Sequence, residues 1–207
     1  DEAPVPIIHV GDERWTAGGA ANVAANVAAL GGKALLVGVT GGDQAASTLA
    51  GILADLASAI ETHLITEPGR PTTIKTRYMG GQHQIVRVDR EHTGAVGKAT
   101  EDRLIAAVDM LADDCDAIMI SDYAKGALTD RVLTAIMAAG KKAGVPIIVD
   151  PKRNDWSIYR GAAIITPNRK ELQLATHALC GSDTECADAA GRAIATMGAA
   201  VLLTRSE

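Results

Sequence analysis

The run Ala17-Gly18-Gly19-Ala20-Ala21-Asn22-Val23-Ala24-Ala25-Asn26-Val27-Ala28-Ala29-Leu30-Gly31 constrains this chain more than any other segment. A glycine pair leads into a helix built almost wholly of small residues, and such a helix can lie very close to a sheet. Asn22 is the one polar side chain near its start. Glycine lets a backbone approach a ligand, and the first turn of a helix carries unpaired N–H groups suited to oxygen-rich molecules. The run therefore predicts a polar small-molecule pocket at a strand-to-helix junction.

Composition supports layered helices and strands. Apolar residues make up 47% of the 207 residues, but aromatic residues only 2%, with no Phe. The core must then be built from Ala, Val, Leu and Ile, which favours helices laid on a buried sheet over an aromatic-rich β-sandwich. The net charge of −5 comes without a basic patch, and two Trp and three Tyr form no stacking platform, which argues against nucleic acid as a partner. Phosphorylated ligands stay open, because a pocket's local field can oppose the net charge. Cys115, Cys180 and Cys186 fit neither a C-x-x-C nor a zinc pattern, and read as reduced, buried thiols of a cytoplasmic protein. No signal peptide or membrane-length apolar run is present. The chain opens on Asp1 without an initiator Met and stops just past an apolar run, so it reads as truncated at both ends.

Hydrophobic patterning predicts the elements. Ile7 to Val10 reads as a strand, 20–30 as a helix stopped by Gly31-Gly32, 34–38 as a strand, and 44–56 as a helix capped by Asp43. Residues 60–65, 72–79 and 84–89 alternate apolar and polar side chains, with turns at 68–71 and 80–81. They predict a small antiparallel flap, or lid, built mainly from about 5–15 and 60–92. From Thr100 onward, helices at 101–112, 130–143, 169 onward and 184–197 alternate with apolar strands at 117–120, 146–149, 163–166 and 200–203. That alternation predicts a mainly parallel sheet covered on both faces.

Ligands of open parallel sheets bind beyond the carboxyl ends of the strands. Three polar clusters fall there: Ser121-Asp122-Tyr123-Ala124-Lys125-Gly126, Asp150-Pro151-Lys152 and Asn168-Arg169-Lys170-Glu171. Lys152 could neutralise a phosphate as a point charge, or lie in a solvated turn. Asp122 could bind a sugar hydroxyl, or satisfy loop backbone groups. Asn168 and Glu171 have capping-box spacing, and the same Glu171 could hold a hydrated Mg²⁺ through water. Arg87 and Asp89 share one face of the flap. Arg87 could grip a phosphate, or form a surface ion pair. The five histidines show no metal-ligand spacing, and neither a P-loop nor a G-x-S-x-G elbow occurs.

Gly18-Gly19, Asn22, Ala24, Gly31, Gly41 and Asp43 together resemble the first signature and the following turn of the ribokinase-like sugar kinases, the PfkB carbohydrate kinase family. Within that family the segments 121–128, 150–152, 159–162, 166–168 and 204–207 are most similar to kinases of D-glycero-β-D-manno-heptose 7-phosphate. The resemblance implies a three-layer α/β/α sandwich with a β lid. It also implies transfer of the ATP γ-phosphoryl group to the 1-hydroxyl of that sugar phosphate, on the route to ADP-heptose and lipopolysaccharide. Gly18, Gly19 and Asn22 would bind sugar hydroxyls, with Arg87, Asp122 and Lys152 completing the acceptor site. Asn168, Glu171 and Thr204 would serve ATP, and Glu171 the Mg²⁺ through water. A homodimer through the lid is implied, and a nucleotidyltransferase domain could share the polypeptide.

The family's catalytic base, the Asp of a Gly-Ala-Gly-Asp motif, is not found in these 207 residues, nor is the first strand whose terminal Asp binds the sugar. The fragment alone is therefore expected to be inactive. Two alternatives stay open: a kinase for another sugar such as ribose or fructose 6-phosphate, and a non-catalytic sugar-phosphate-binding protein on the same fold.

Overall fold

A computed structural model describes residues 7–56 and 58–205. In chain order the elements are α1 (Ala20–Ala29), β1 (Ala34–Thr40), α2 (Gln44–Ala54), β2 (Ile60–Thr66), β3 (Ile74–Gly80), β4 (His83–Arg90), α3 (Lys98–Leu111), β5 (Ile118–Ser121), α4 (Asp130–Ala143), β6 (Ile147–Asp150), β7 (Ile164–Ile165), α5 (Arg169–Thr176), α6 (Asp183–Met197) and β8 (Ala200–Val201). Helix ends are set locally. The Asp43 carboxylate accepts from the Ala46 N–H at 3.1 Å, and the Thr129 hydroxyl accepts from the Val132 N–H at 3.3 Å. Asn168 with Glu171, and Ser182 with Glu185, form reciprocal capping boxes. α4 and α6 stop on Gly144 and Gly198, both left-handed at φ 72° and 71°.

β5-β6-β7-β8 form a wholly parallel sheet, and the Asn168–Thr204 bridge continues the β7–β8 pairing past the strand ends. β3 and β4 form the antiparallel flap, with a register shift between Tyr78 and Met79. β1 and β2 make a separate parallel pair, in register from Ala34 opposite Ile60 to Thr40 opposite Thr66. This corrects the assignment of 60–65 to the flap. Ile60 and Ile65 are buried while Glu61 and Thr62 face water. β2 pairs with β1 alone among the described strands, and it buries Ile60 on one face and Ile65 on the other, in two different clusters, so the polar residues between them mark an exposed edge and not a flap.

Ile7 to Val10 is not a strand either. Among the described residues no neighbouring strand supplies its hydrogen bonds, and Ile7 and Val10 are exposed. The flap is thus the 74–90 hairpin, and of the predicted lid segment at 5–15, residues 5 and 6 lie outside the described residues.

The main core gathers Leu104, Ile120, Val132, Leu133, Val149, Ile165, Leu172, Ala189 and Ala193, with Trp156 and Tyr159 as its aromatic members. Full burial of each Leu, Ile or Val contributes roughly 1.5–3 kcal/mol. A second cluster sets Ala21 and Ala24 of α1 against Leu36, Leu53 and Ile60, the close helix-on-sheet contact that small residues allow. α3 packs on β1, β2 and α4 and so ties the two parallel sheets together. The facing edges of β1 and β5 are unpaired among the described strands, and a cleft runs between Leu35, Val37 and Val39 on one side and Ile118, Met119 and Ile120 on the other. Among the described residues no helix is long and apolar enough to cross a membrane.

Candidate active site

The carboxyl ends of β5, β6 and β7 open into a cavity of about 480 Å³. It is lined by Ser121, Asp122 and Tyr123 after β5, Asp150 and Lys152 at β6, Asn168 and Glu171 at the start of α5, and Thr204. The parallel register aligns these ends, so the three polar clusters meet in one crevice. Val23 of α1 closes one wall. Gly19, in a positive-φ conformation (φ 54°), lies against the Tyr123 ring: a β-carbon built there would sit 3.7 Å from it.

A larger cleft, about 2800 Å³, runs under the flap and down between β1 and β5. Gly18, Gly19, Asn22 and Arg87 line this cleft, while Asn168, Glu171 and Thr204 line only the smaller cavity. Asp122 and Lys152 border both. The two groups of candidate residues thus occupy adjoining compartments that share Lys152.

Lys152 Nζ donates to Glu171 Oε1 at 3.0 Å, and Glu171 Oε2 accepts from the Asn168 N–H at 2.9 Å. Glu171 therefore closes the helix cap and carries the lysine's counter-charge at once. Asp150 sits beside this pair. Desolvation by the surrounding protein raises its pKa, and the Glu171 charge adds to the effect while Lys152 opposes it. Burial, then Asp150 and Glu171, likewise push the Tyr123 phenol up. Thr204 holds the edge of the crevice: its N–H and hydroxyl both donate to the Pro167 carbonyl.

Asp122 is engaged within the chain. One oxygen accepts from the Ala124 N–H at 2.7 Å, the other from Arg153 Nε at 2.9 Å and the Tyr159 hydroxyl at 2.7 Å. Its side chain is almost fully buried. Arg153 also binds Asp130 and the Leu128 carbonyl, so it fastens both ends of the 121–128 loop. Sequence reading did not single out Arg153 or Tyr159 for this task. The only signals were their places just after Asp150-Pro151-Lys152 and within the 159–162 segment.

Arg87 on the flap is half exposed and donates to Asp89 at 2.9 Å. From Asp89 a chain of ion pairs runs through Lys75 to Glu91 and on to Lys125, at 3.0, 3.0 and 2.6 Å. Hydrogen bonds from Lys125 and Lys75 hold the Glu91 carboxyl below its usual range. Arg70 adds a second tie, donating to the carbonyls of Gly94, His92 and Lys125. These contacts join the flap's stem to the 121–128 loop, and residue type alone does not reveal them.

The oxygen donors of Glu171 and Asp150 suit a hard divalent cation. No three His, Cys, Asp or Glu side chains converge among the described residues. A cation here would take most of its ligands from phosphate and water.

The profile of the pfkB family carbohydrate kinases matches residues 2–207. The chain is 49% identical over 206 residues to the bifunctional protein HldE of Azorhizobium caulinodans, covering 100% of this chain and 43% of that protein. It is 46% identical to the HldE of Caulobacter vibrioides, covering 99% of this chain and 42% of the relative. It therefore spans less than half the length of these relatives.

Among solved structures, phosphofructokinase-2 from Escherichia coli in complex with fructose-6-phosphate superposes with a TM-score of 0.69 at 20% identity, covering 97% of this chain and 68% of that one. Ribokinase from Arabidopsis thaliana, complexed with ribose and ATP, gives 0.64 at 18%, covering 91% and 60%. These likenesses show the ribokinase-like α/β fold. With the sequence signature, the profile match and the fold in agreement, the chain belongs to the pfkB family of carbohydrate kinases.

Proposed function

We propose that this chain is the acceptor-binding part of an ATP-dependent kinase that phosphorylates the 1-hydroxyl of D-glycero-β-D-manno-heptose 7-phosphate, giving the 1,7-bisphosphate for ADP-heptose and lipopolysaccharide synthesis in the cytoplasm. The observation that carries the reading is the similarity of the whole chain to bifunctional HldE proteins, and the adjoining compartments that meet at Lys152 give it a physical basis. Asn22 and the Gly18-Gly19 backbone bind sugar hydroxyls in the larger cleft. Arg87 and Lys152 take the acceptor's phosphate or the hydroxyls near it. Asn168, Glu171 and Thr204 face the donor phosphates. Phosphoryl transfer depends on positioning and on charge neutralisation, and Lys152 stands where acceptor and donor sides meet. Asp122 serves by fixing the loop that carries Ser121 and Tyr123.

Mg²⁺ fits the oxygen donors of the smaller cavity, held through water by Glu171 with Asp150 nearby. When bound it would neutralise charge on the donor phosphates. The catalytic base and the anion-binding glycines of the Gly-Ala-Gly-Asp motif come from elsewhere in the longer polypeptide, as does the strand that fills the slot between β1 and β5. The flap pairs with that of a second copy. Its support is the exposure of Met79, Ile85, Val86 and Val88 on a two-stranded hairpin, which is marginal in water by itself. A nucleotidyltransferase domain on the same polypeptide accords with the greater length of the relatives.

The test is a coupled ATP-turnover assay of the full polypeptide with heptose 7-phosphate, fructose 6-phosphate and ribose. The expected result is a kcat/KM for the heptose phosphate well above the others. A preference for ribose or fructose 6-phosphate would overturn the assignment.

A further inference from the structure

We propose that Cys180 and Cys186 are a redox modification site, closing a reversible disulfide that fastens the α5–α6 connection to the first turn of α6. Both are free and buried in the main core. The Cys186 thiol donates to the Cys180 carbonyl at 3.4 Å. Between them the Glu185 carboxylate accepts from the Gly181 and Ser182 N–H groups, both at 2.9 Å, which folds the backbone back so that the two cysteines face each other. Cys180 lies in coil, so the connection can adjust to the geometry a disulfide demands.

A second, independent observation is Arg169. Its Nε is the one buried side-chain nitrogen or oxygen without a hydrogen-bond partner among the described residues, and such an orphan donor calls for an explanation. Its guanidinium lies near Cys180 and opposes the burial, the Cys186 thiol and the Glu185 carboxylate that together keep the Cys180 thiol protonated. It is therefore placed to stabilise a Cys180 thiolate when one forms. Cys115 lacks such a setting: it donates to the Leu111 carbonyl, and neither a second thiol nor a cation offsets the burial, Asp114 and Asp116 that disfavour its thiolate.

The chemistry needs a small-molecule disulfide as oxidant. The Cys180 thiolate attacks one sulfur, forming a mixed disulfide and expelling one thiolate. Cys186, giving up its proton, then displaces the second small thiol. Two protein thiols are oxidised to one disulfide, and one small disulfide is reduced to two thiols. The cross-link lies beside α5, whose first residues line the smaller cavity.

Trypsin releases both cysteines in the single peptide Glu171–Arg192. After incubation of the folded protein with glutathione disulfide, quenching and alkylation, that peptide is expected two hydrogens lighter and unalkylated until dithiothreitol is added, with Cys115 alkylated throughout. In Cys180→Ser the two-hydrogen loss should vanish. The proposal is overturned if Cys180 and Cys186 are alkylated to the same extent with and without oxidant, or if they carry only mixed or interchain disulfides.

Discussion

Asp122 and Lys152 are both charged, both stand at strand ends and both border the crevice, yet the structure sets them in opposite surroundings. Asp122 is sealed among Ala124, Arg153 and Tyr159. Asp122→Ala leaves a half-buried guanidinium and a buried phenol without their acceptor, and should cost about 3–5 kcal/mol in urea denaturation. Lys152 is half exposed. Lys152→Met should change stability by no more than about 0.5 kcal/mol while raising KM for the sugar phosphate in the full polypeptide; an unchanged KM would remove it from the acceptor site. Asp150 gives a pH signature. Its raised pKa, in a setting of Glu171, Lys152, Asp122 and Tyr123, means that its contribution to stability is intact in acid and lost as pH rises through its folded value. Asp150→Asn should therefore match the parent's Tm at about pH 3 and exceed it at about pH 7. Equal Tm values at both would contradict the desolvation argument. The sequence showed that these side chains sit at strand ends. It could not show that Arg153 and Tyr159 converge on Asp122, because that contact spans 31 and 37 residues.

Elements were most legible where the signal is local. The Asn168–Glu171 capping box of α5, the Asp43 cap and the Gly31 stop after α1 are short-range chemistry, and they appear as read, while the α6 capping box and the Gly144 and Gly198 stops are equally local but were not picked out. Asn168→Ala should cost about 1 kcal/mol of stability by denaturation, with α5 fraying first in hydrogen exchange. The assignment of β2 was not legible, since the polar residues that an exposed edge strand of the layered sheet carries resemble those of a flap strand; only the partner, β1, distinguishes them. Gly41 and Asp43 show what the signature turn does. The Gly41 and Thr72 N–H groups bind the Thr72 hydroxyl and the Asp43 carboxylate in exchange, fixing the base of the flap to the end of β1. Gly126 has the matching place on the opposite loop. It is left-handed at φ 81°, and a β-carbon there would run into the Gly94 carbonyl. Gly126→Ala should destabilise by about 2–4 kcal/mol; a neutral result would show that the 91–97 segment can move aside.

At the scale of the molecule, the signature run places α1 over β1 and β2, with its N-terminal residues lining the larger cleft and Gly19 against the Tyr123 ring. The flap and the β5–β8 sheet meet through ion pairs and through Arg70, long-range contacts that no periodicity encodes. The division into a larger cleft and a smaller cavity joined at Lys152 also emerges only from the fold. The proposed function requires that this architecture, within the longer polypeptide, deliver a phosphoryl group to the anomeric oxygen of a sugar that already carries a phosphate. Phosphorus NMR of the full polypeptide with ATP and D-glycero-β-D-manno-heptose 7-phosphate tests it most directly. The expected result is a new phosphate resonance coupled to the anomeric proton, growing as ATP is consumed, with the 7-phosphate retained. A new phosphate at any other carbon, or no consumption of ATP with this sugar while another sugar is phosphorylated, would contradict it.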